Sequence, residues 1–332
     1  MTTPTRRSFT PDVLAIDAAH VAGAIEQAIR QQVAGFRRRG AVVGLSGGID
    51  SSVVTCLCAR ALGRERVQVL FMPERDSSPE SLELGQLLTT QLGLNAIVED
   101  IAPTLEAAGC YARQAEAVRM VFPEFTAGYR LKVALPSILD SDRLNVTELT
   151  IESPSGERKT SRLPVTAYLQ LIAATNFKQR VRKLLEYYHA DRLNYVVAGT
   201  PNRLEYDQGF FVKGGDGAAD IKPIAHLYKS QVYALADYLG IPAEIRRRPP
   251  TTDTFSLPQT QEEFYFALPY AKMDLVLYGR NHSVPAAEVA PAVGLTPEQV
   301  ERVYKDIDQK RRTTRYLHTK PLLVEPVPEV GD

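Results

Sequence analysis

Ala41-Val42-Val43-Gly44-Leu45-Ser46-Gly47-Gly48-Ile49-Asp50-Ser51-Ser52 is an apolar run that breaks into glycines and hydroxyls and then turns apolar again. A short continuous apolar run followed by turn residues suits a strand buried on both faces of a parallel sheet. The helix that follows, expected over Ser51 to Leu62, starts directly after the glycines. Its N-terminus gathers unhindered backbone N–H groups and several hydroxyls, and the partial positive charge there favours a bound polyphosphate. The loop is not a Walker A loop, because no Gly-Lys-Ser/Thr follows, and no GxGxxG occurs in it.

Working outward, Val21, Ile25, Ile29 and Val33 recur at fours, which predicts an amphipathic helix from Ile16 to Phe36 ahead of the strand. Val67 to Met72 reads as a second strand. Ser78-Pro79-Glu80 then supplies an N-cap, a first-turn proline and a first-turn carboxylate for a helix ending near Gly93. Asn95 to Val98 makes a third strand, and Tyr195-Val196-Val197-Ala198 another after a helix from Thr166 to His189. Strand and helix alternating through short turns predict right-handed crossovers and a doubly wound α/β parallel sheet. Helices are also expected at Tyr228 to Leu239 and Thr296 to Tyr316.

The pattern changes between 123 and 164. β-like runs from Leu144 to Glu152 and Arg158 to Leu163 flank Ser153-Pro154-Ser155-Gly156, which reads as an inserted β-hairpin. The expected organisation is a single domain over 1–332 with this insertion, C-terminal helices and an irregular tail over 318–332.

Composition removes several classes. The 332 residues carry 39 Lys plus Arg and 39 Asp plus Glu, so no global field attracts nucleic acid or an anionic membrane. Arg246-Arg247-Arg248 and Lys310-Arg311-Arg312 are local clusters only. The 3 cysteines lack the partners that a zinc or disulfide role needs. Arg6-Arg7 superficially resembles an export signal, but Asp12, Asp17, His20 and Glu26 interrupt any apolar segment behind it. A cytoplasmic location is expected.

The opening loop resembles the signature of N-type ATP pyrophosphatases, of the adenine nucleotide α hydrolase-like fold, which cleave ATP between the α and β phosphates. The resemblance implies that Gly44, Leu45, Ser46, Gly47, Gly48, Ile49, Asp50 and Ser51 bind ATP, with Asp50 also binding Mg²⁺. Gly199-Thr200-Pro201-Asn202-Arg203-Leu204-Glu205-Tyr206 and Gly209 to Pro223 resemble the NAD synthetase family in particular, and the match extends from Met72-Pro73-Glu74 to Pro249-Pro250-Thr251-Thr252-Asp253. That likeness implies Glu205 as the second magnesium ligand and Thr200, Lys229 and Thr251 as ATP contacts. Asp50, Lys213 and Lys229 carry the catalytic expectation.

Lys213 and Asp220 are expected to contact deamido-NAD, with Phe210 and Phe211 as walls for its ring or as core aromatics. Asn176 to Arg182 resembles the family's arginine-bearing helix, which makes Arg180 a substrate contact. Gln309-Lys310-Arg311 stands where the family has His-Lys-Arg, so Gln309 and Lys310 join the substrate set, with His318 or His282 as substitutes for the missing histidine. The implied reaction forms an acyl adenylate that ammonia converts to an amide in a homodimer. The segment before the first strand is too short for a glutaminase domain, so free ammonia is the expected nitrogen donor, with a separate glutaminase subunit as the other source. An amide ligase for a different carboxylate is the alternative; RNA modification and noncatalytic nucleotide binding are further ones.

Overall fold

Val42 points to one side of the central sheet and Ala41 and Val43 to the other, and all three are fully buried. Both faces of the first strand must therefore be covered, and the rest of the chain supplies the two layers. The computed structural model describes residues 9–134, 147–251, 254–266 and 268–330. In chain order, helix α1 (Ala18–Gly35) leads to β1 (Ala41–Gly44), α2 (Ile49–Leu62), β2 (Val67–Phe71), α3 (Pro79–Leu92) and β3 (Ala96–Val98). Helices α4 (Ala102–Ala107) and α5 (Cys110–Arg119) precede β4 (Arg130–Ala134), β5 (Glu148–Glu152) and β6 (Arg158–Arg162). The long α6 (Val165–Leu193) returns the chain to β7 (Val196–Val197), followed by α7 (Arg203–Gln208), α8 (Lys229–Tyr238) and α9 (Ala243–Arg247). The C-terminal helices are α10 (Tyr270–Asn281), α11 (Ala286–Val293) and α12 (Pro297–Thr314).

The central sheet is parallel throughout, in the order β3-β2-β1-β7, with Ala41 opposite Val67 and Val196. One face packs on α1, α2, α3 and α8 through Ile29, Leu57, Leu88 and Leu235. The other lies under α6 through Ala190. This is the doubly wound arrangement expected from the alternation of strands and helices. Strand order turns at β1, which puts a crevice outside the carboxyl ends of β1 and β7, where open α/β sheets bind their ligands. As expected, Ser78 stands at the N-cap of α3 with Pro79 in its first turn, though without a side-chain capping bond, and Gly93 ends the helix in the left-handed conformation; Asp17, given no such role from sequence, caps α1 by accepting the His20 N–H at 3.1 Å.

A second, antiparallel sheet of order β4-β5-β6 stands apart from the first. The hairpin around Ser153 to Gly156 is present, with Glu152 opposite Arg158. Residues 144–146 of the run that began at Leu144 lie outside the described residues, as do Thr252 and Asp253. β4 has no counterpart in the sequence reading. Leu131, Val133, Leu149 and Ile151 cover Phe122, Leu171 and Phe255, so this sheet packs on α6 and on the segment after Thr251. The C-terminal helices close a further core around Val276, Val289 and Val303. From 319 to 330 the chain has neither helix nor strand.

Candidate active site

Beyond Gly44 the backbone curls around two hydroxyls. Ser51 Oγ accepts the Ser46 N–H at 3.2 Å and donates to the Gly48 carbonyl at 3.1 Å, and Ser46 Oγ lies 3.1 Å from Ser51 Oγ. Gly47 has φ +74, and a Cβ there would stand 2.2 Å from the Ser81 carbonyl oxygen, so only glycine fits. Gly48 caps α2 without a side chain. The first-turn amides of a helix have no partner within it, and the cleft at the sheet's switch point reaches this turn at Ile49, Asp50 and Ser51.

Asp50 is gripped from two sides. Asn202 Nδ2 donates to its Oδ1 at 3.0 Å, and the Lys229 ammonium donates to its Oδ2. Asn202 also caps α7, accepting the Leu204 and Glu205 N–H groups at 2.9 and 3.2 Å, while Glu205 Oε2 takes the Asn202 N–H at 3.1 Å. This reciprocal capping box fixes Glu205 beside Asp50. Burial and then the like charge of Asp50 push the Glu205 carboxyl up to about 8. Lys229 is 1% exposed; burial opposes its charge, yet Asp50 and Glu205 outweigh that and raise its pKa. Asp274, fully buried, accepts the Lys229 and Ser230 N–H groups at 3.1 and 2.7 Å and so anchors the start of α8.

A buried carboxyl beside a second carboxylate, Glu205 beside Asp50, forms a donor set that suits a small hard cation. Magnesium is commonly held by one or two protein carboxylates plus phosphate oxygens and water. Among the described residues no set of three or more acidic, histidine or cysteine side chains gathers as a metal cage. A cation here would therefore take Asp50 and Glu205 and complete its shell from a polyphosphate.

The cleft brings together Gly44, Leu45, Ser46, Gly48, Ile49, Asp50 and Ser51 with Thr200, Glu205, Lys229 and Thr251. Gly47 shapes the loop from behind. The same cleft takes in cations to which the sequence reading gave no role: Lys183, paired with Glu186 at 2.6 Å, Arg182, which donates to the Met72 carbonyl at 3.2 Å, and Arg248. Arg248 had read only as part of a local basic cluster, and its Nη2 donates to Ser81 Oγ at 2.9 Å inside the cleft wall. Asn202 and Asp274 were likewise without a role; a hint lay in Asn202 three residues before Glu205, and none in Asp274.

The expected substrate residues lie elsewhere. Lys213 Nζ donates to the Tyr316 and Thr319 carbonyls at 2.8 and 3.2 Å, and Arg180 Nε donates to the Lys213 carbonyl at 3.3 Å. Asp220 accepts the Val197 N–H at 2.7 Å and the Tyr187 hydroxyl at 3.3 Å, which ties it to the sheet edge. Gln309 is exposed, and Lys310 donates to the Tyr265 carbonyl at 2.8 Å. A second cleft holds Tyr206, Lys222, Arg311 and His318. His318 packs edge-on against Tyr206 and Phe211, with centroids 4.8 and 5.0 Å away, whereas His282 stacks on Tyr278. Phe210 stacks on Tyr265 instead. Glu205 and Tyr206, neighbours on α7, each line one of the two clefts.

A parallel sheet with a phosphate-type loop and paired carboxylates at its switch point defines a class, the α/β proteins of the PP-loop ATP pyrophosphatase fold. A family model described as NAD synthase matches residues 21–135 and 138–316, and the chain belongs to that family. An NH(3)-dependent NAD(+) synthetase of Mesorhizobium japonicum is 61% identical over 94% of this chain and 98% of its own length. One from Thermotoga neapolitana is 35% identical over 86% of this chain and 91% of its own. Among solved structures, NMN synthetase from Francisella tularensis superposes with a TM-score of 0.63 at 22% identity, covering 94% of this chain and 99% of that one. The NH3-dependent NAD synthetase from Campylobacter jejuni gives 0.61 at 24% identity, covering 93% of this chain and all of that one. These two likenesses concern the fold.

Proposed function

We propose that the protein is an ammonia-dependent NAD synthetase. The deamido-NAD carboxylate attacks the α-phosphate of ATP, forming an acyl adenylate and releasing pyrophosphate; ammonia then adds to the acyl carbon and AMP departs. Activation is required because a carboxylate is a poor electrophile, whereas AMP leaves readily. The observation that carries this reading is the Asp50–Asn202–Glu205–Lys229 node at the foot of the glycine loop, in a chain 61% identical to a named NH(3)-dependent NAD(+) synthetase over nearly its whole length.

In this reading the loop amides and the Ser46 and Ser51 hydroxyls grip the β and γ phosphates, and Lys229 and Lys183 offset charge that accumulates on departing pyrophosphate. Magnesium, held by Asp50 and Glu205, would neutralise phosphate oxygens and hold them in line. Thr200 and Thr251, both in the lining of the cleft, contact the nucleotide. Deamido-NAD enters from the side of the second cleft, where Lys222, Arg311 and the rings of Tyr206, Phe211 and His318 suit a charged aromatic ligand. Arg180, Lys213, Asp220, Gln309 and Lys310 line neither cleft, so a substrate contact from any of them requires a rearrangement on binding. The protein acts by positioning and charge more than by covalent chemistry. It works as a homodimer in the cytoplasm on free ammonia; no described helix is long and apolar enough to cross a membrane.

The test follows AMP and pyrophosphate release with ATP, Mg²⁺ and ammonium, using deamido-NAD and a panel of other carboxylates. Turnover is expected with deamido-NAD, is lost on chelation of magnesium, and does not occur when glutamine replaces ammonium. Failure to turn over deamido-NAD, with activity on another carboxylate, would overturn the substrate assignment.

A further inference from the structure

Lys178, midway along α6, is 1% exposed, yet it does not line the cleft. Its three ammonium protons are all used, on Glu74 Oε1 at 2.8 Å, Asp76 Oδ2 at 2.8 Å and the Thr254 carbonyl at 2.9 Å. Those acceptors come from two segments that both line the cleft and that also meet where Arg248 reaches Ser81. The turn after β2 gives it Pro73, Ser77 and Ser78, and the segment around Thr251 gives it Pro250, Thr251 and Gln261. Lys178's own helix adds Gln179 and Lys183.

We propose that Lys178 is a positioning residue for the nucleotide cleft: its ammonium ties the turn after β2 to the chain just beyond Thr251, and so sets the distance between two segments lining the site. The inference rests on the reading of this cleft as the ATP site.

The cluster is built to hold geometry rather than to bind an anion. Lys178 and Arg75 balance Glu74 and Asp76, with Arg75 reaching Asp76 at 3.5 Å and its guanidinium 3.7 Å from the centre of the Tyr111 ring. The remaining Glu74 oxygen accepts the Tyr111 hydroxyl at 2.9 Å. A buried ion pair is often replaceable by apolar residues without loss of stability, so stability alone does not account for one here. What an apolar side chain lacks is a donor for the Thr254 carbonyl. That segment is also held from its far side, because Ser256 Oγ accepts the Leu131 N–H at 2.9 Å and the Leu257 N–H donates to the Leu131 carbonyl at 3.0 Å. Lys178 supplies the link from α6.

The experiment compares the wild type, Lys178→Arg, Asp76→Asn, and a triple variant Lys178→Met, Glu74→Gln, Asp76→Asn that leaves no unpaired buried carboxylate. MgATP binding by calorimetry, thermal midpoint, and KM for ATP and for ammonia are measured on each. The triple variant is expected to keep a near-native midpoint and KM for ammonia, while its ATP dissociation constant and KM rise about 10-fold to 100-fold. Lys178→Arg recovers part of the loss. Should the triple variant not fold, Asp76→Asn carries the test and shows a smaller rise of the same sign. Wild-type ATP affinity in the folded variants overturns the inference alone. A wild type that does not bind MgATP overturns the reading of the cleft and this inference with it.

Discussion

Asn202 does two jobs at one position, capping α7 with its oxygen and steadying Asp50 with its nitrogen. Asn202→Ala should cost about 1 kcal/mol of stability through the lost cap and about 10-fold to 100-fold in kcat/KM through a freed Asp50. Chemical denaturation and steady-state kinetics separate the two losses, and undiminished turnover would remove Asp50's support from the mechanism. Asp50→Asn should abolish pyrophosphate release; full ATP-dependent activity in that variant would refute the metal assignment. The thiols give a contrasting case. Burial pushes Cys56 and Cys58 up to about 12, so a thiol reagent at neutral pH should leave both unmodified until the protein unfolds; rapid labelling of the native chain would contradict their burial. Glu205 was legible through the family resemblance, whereas Asn202 offered only a local capping hint and no sign of Asp50, 152 residues away. Asp274 was not legible, because its partners sit 45 and 44 residues away. Lys178 was not either, since a buried lysine on a helix looks in sequence like any solvent-facing one.

Elements were legible where their period was clean. β1, β2 and β7 are apolar runs and α1 is a regular stripe, and each lies close to its expected bounds. Helix α10 went unread because burial on several sides blurs its stripe; α11 buries a single face, but Pro285 and Pro291 look like breaks although the first precedes the helix and the second lies inside it. β4 went unread although Arg130 and Lys132 alternate with buried Leu131 and Val133 as in a half-buried strand, because only five residues carry the pattern beside a proline-bearing stretch. Its sheet supplies two tests. Leu149 is fully buried there, so Leu149→Ala should cost about 2–5 kcal/mol, seen as a lower unfolding midpoint. Glu152 accepts from Arg158 at 2.6 Å and from Arg130, and these hydrogen bonds, Arg158 first, hold its carboxyl below the usual range. A depressed carboxyl contributes stability above its unfolded pKa of about 4.3 and loses it as pH falls through the lower folded value. Amide exchange in β4–β6 should therefore quicken below about pH 4 before that of the parallel sheet does; equal quickening in both sheets would show that the clamp contributes nothing.

Across the whole molecule, α6 touches nearly everything that matters. It backs the parallel sheet, carries Lys178, lends Gln179 and Lys183 to the cleft and packs under β4–β6. It also leaves Leu184 and Tyr188, one turn apart, 64% and 60% exposed, which supports the proposed pairing with a second copy. Light scattering is expected to give twice the 36.7 kDa chain mass, and Leu184→Asp to shift it toward one; a monomeric wild type would end the homodimer reading. The far edge of β4 has a different consequence. Because Leu131 exchanges backbone and side-chain hydrogen bonds with Ser256 and Leu257, stretches more than a hundred residues apart behave as one transplantable part. A chimera that takes residues 123–164 from this chain without 254–260, or the reverse, would leave a raw strand edge. Only grafts that carry both should recombine freely with the cores of distant relatives.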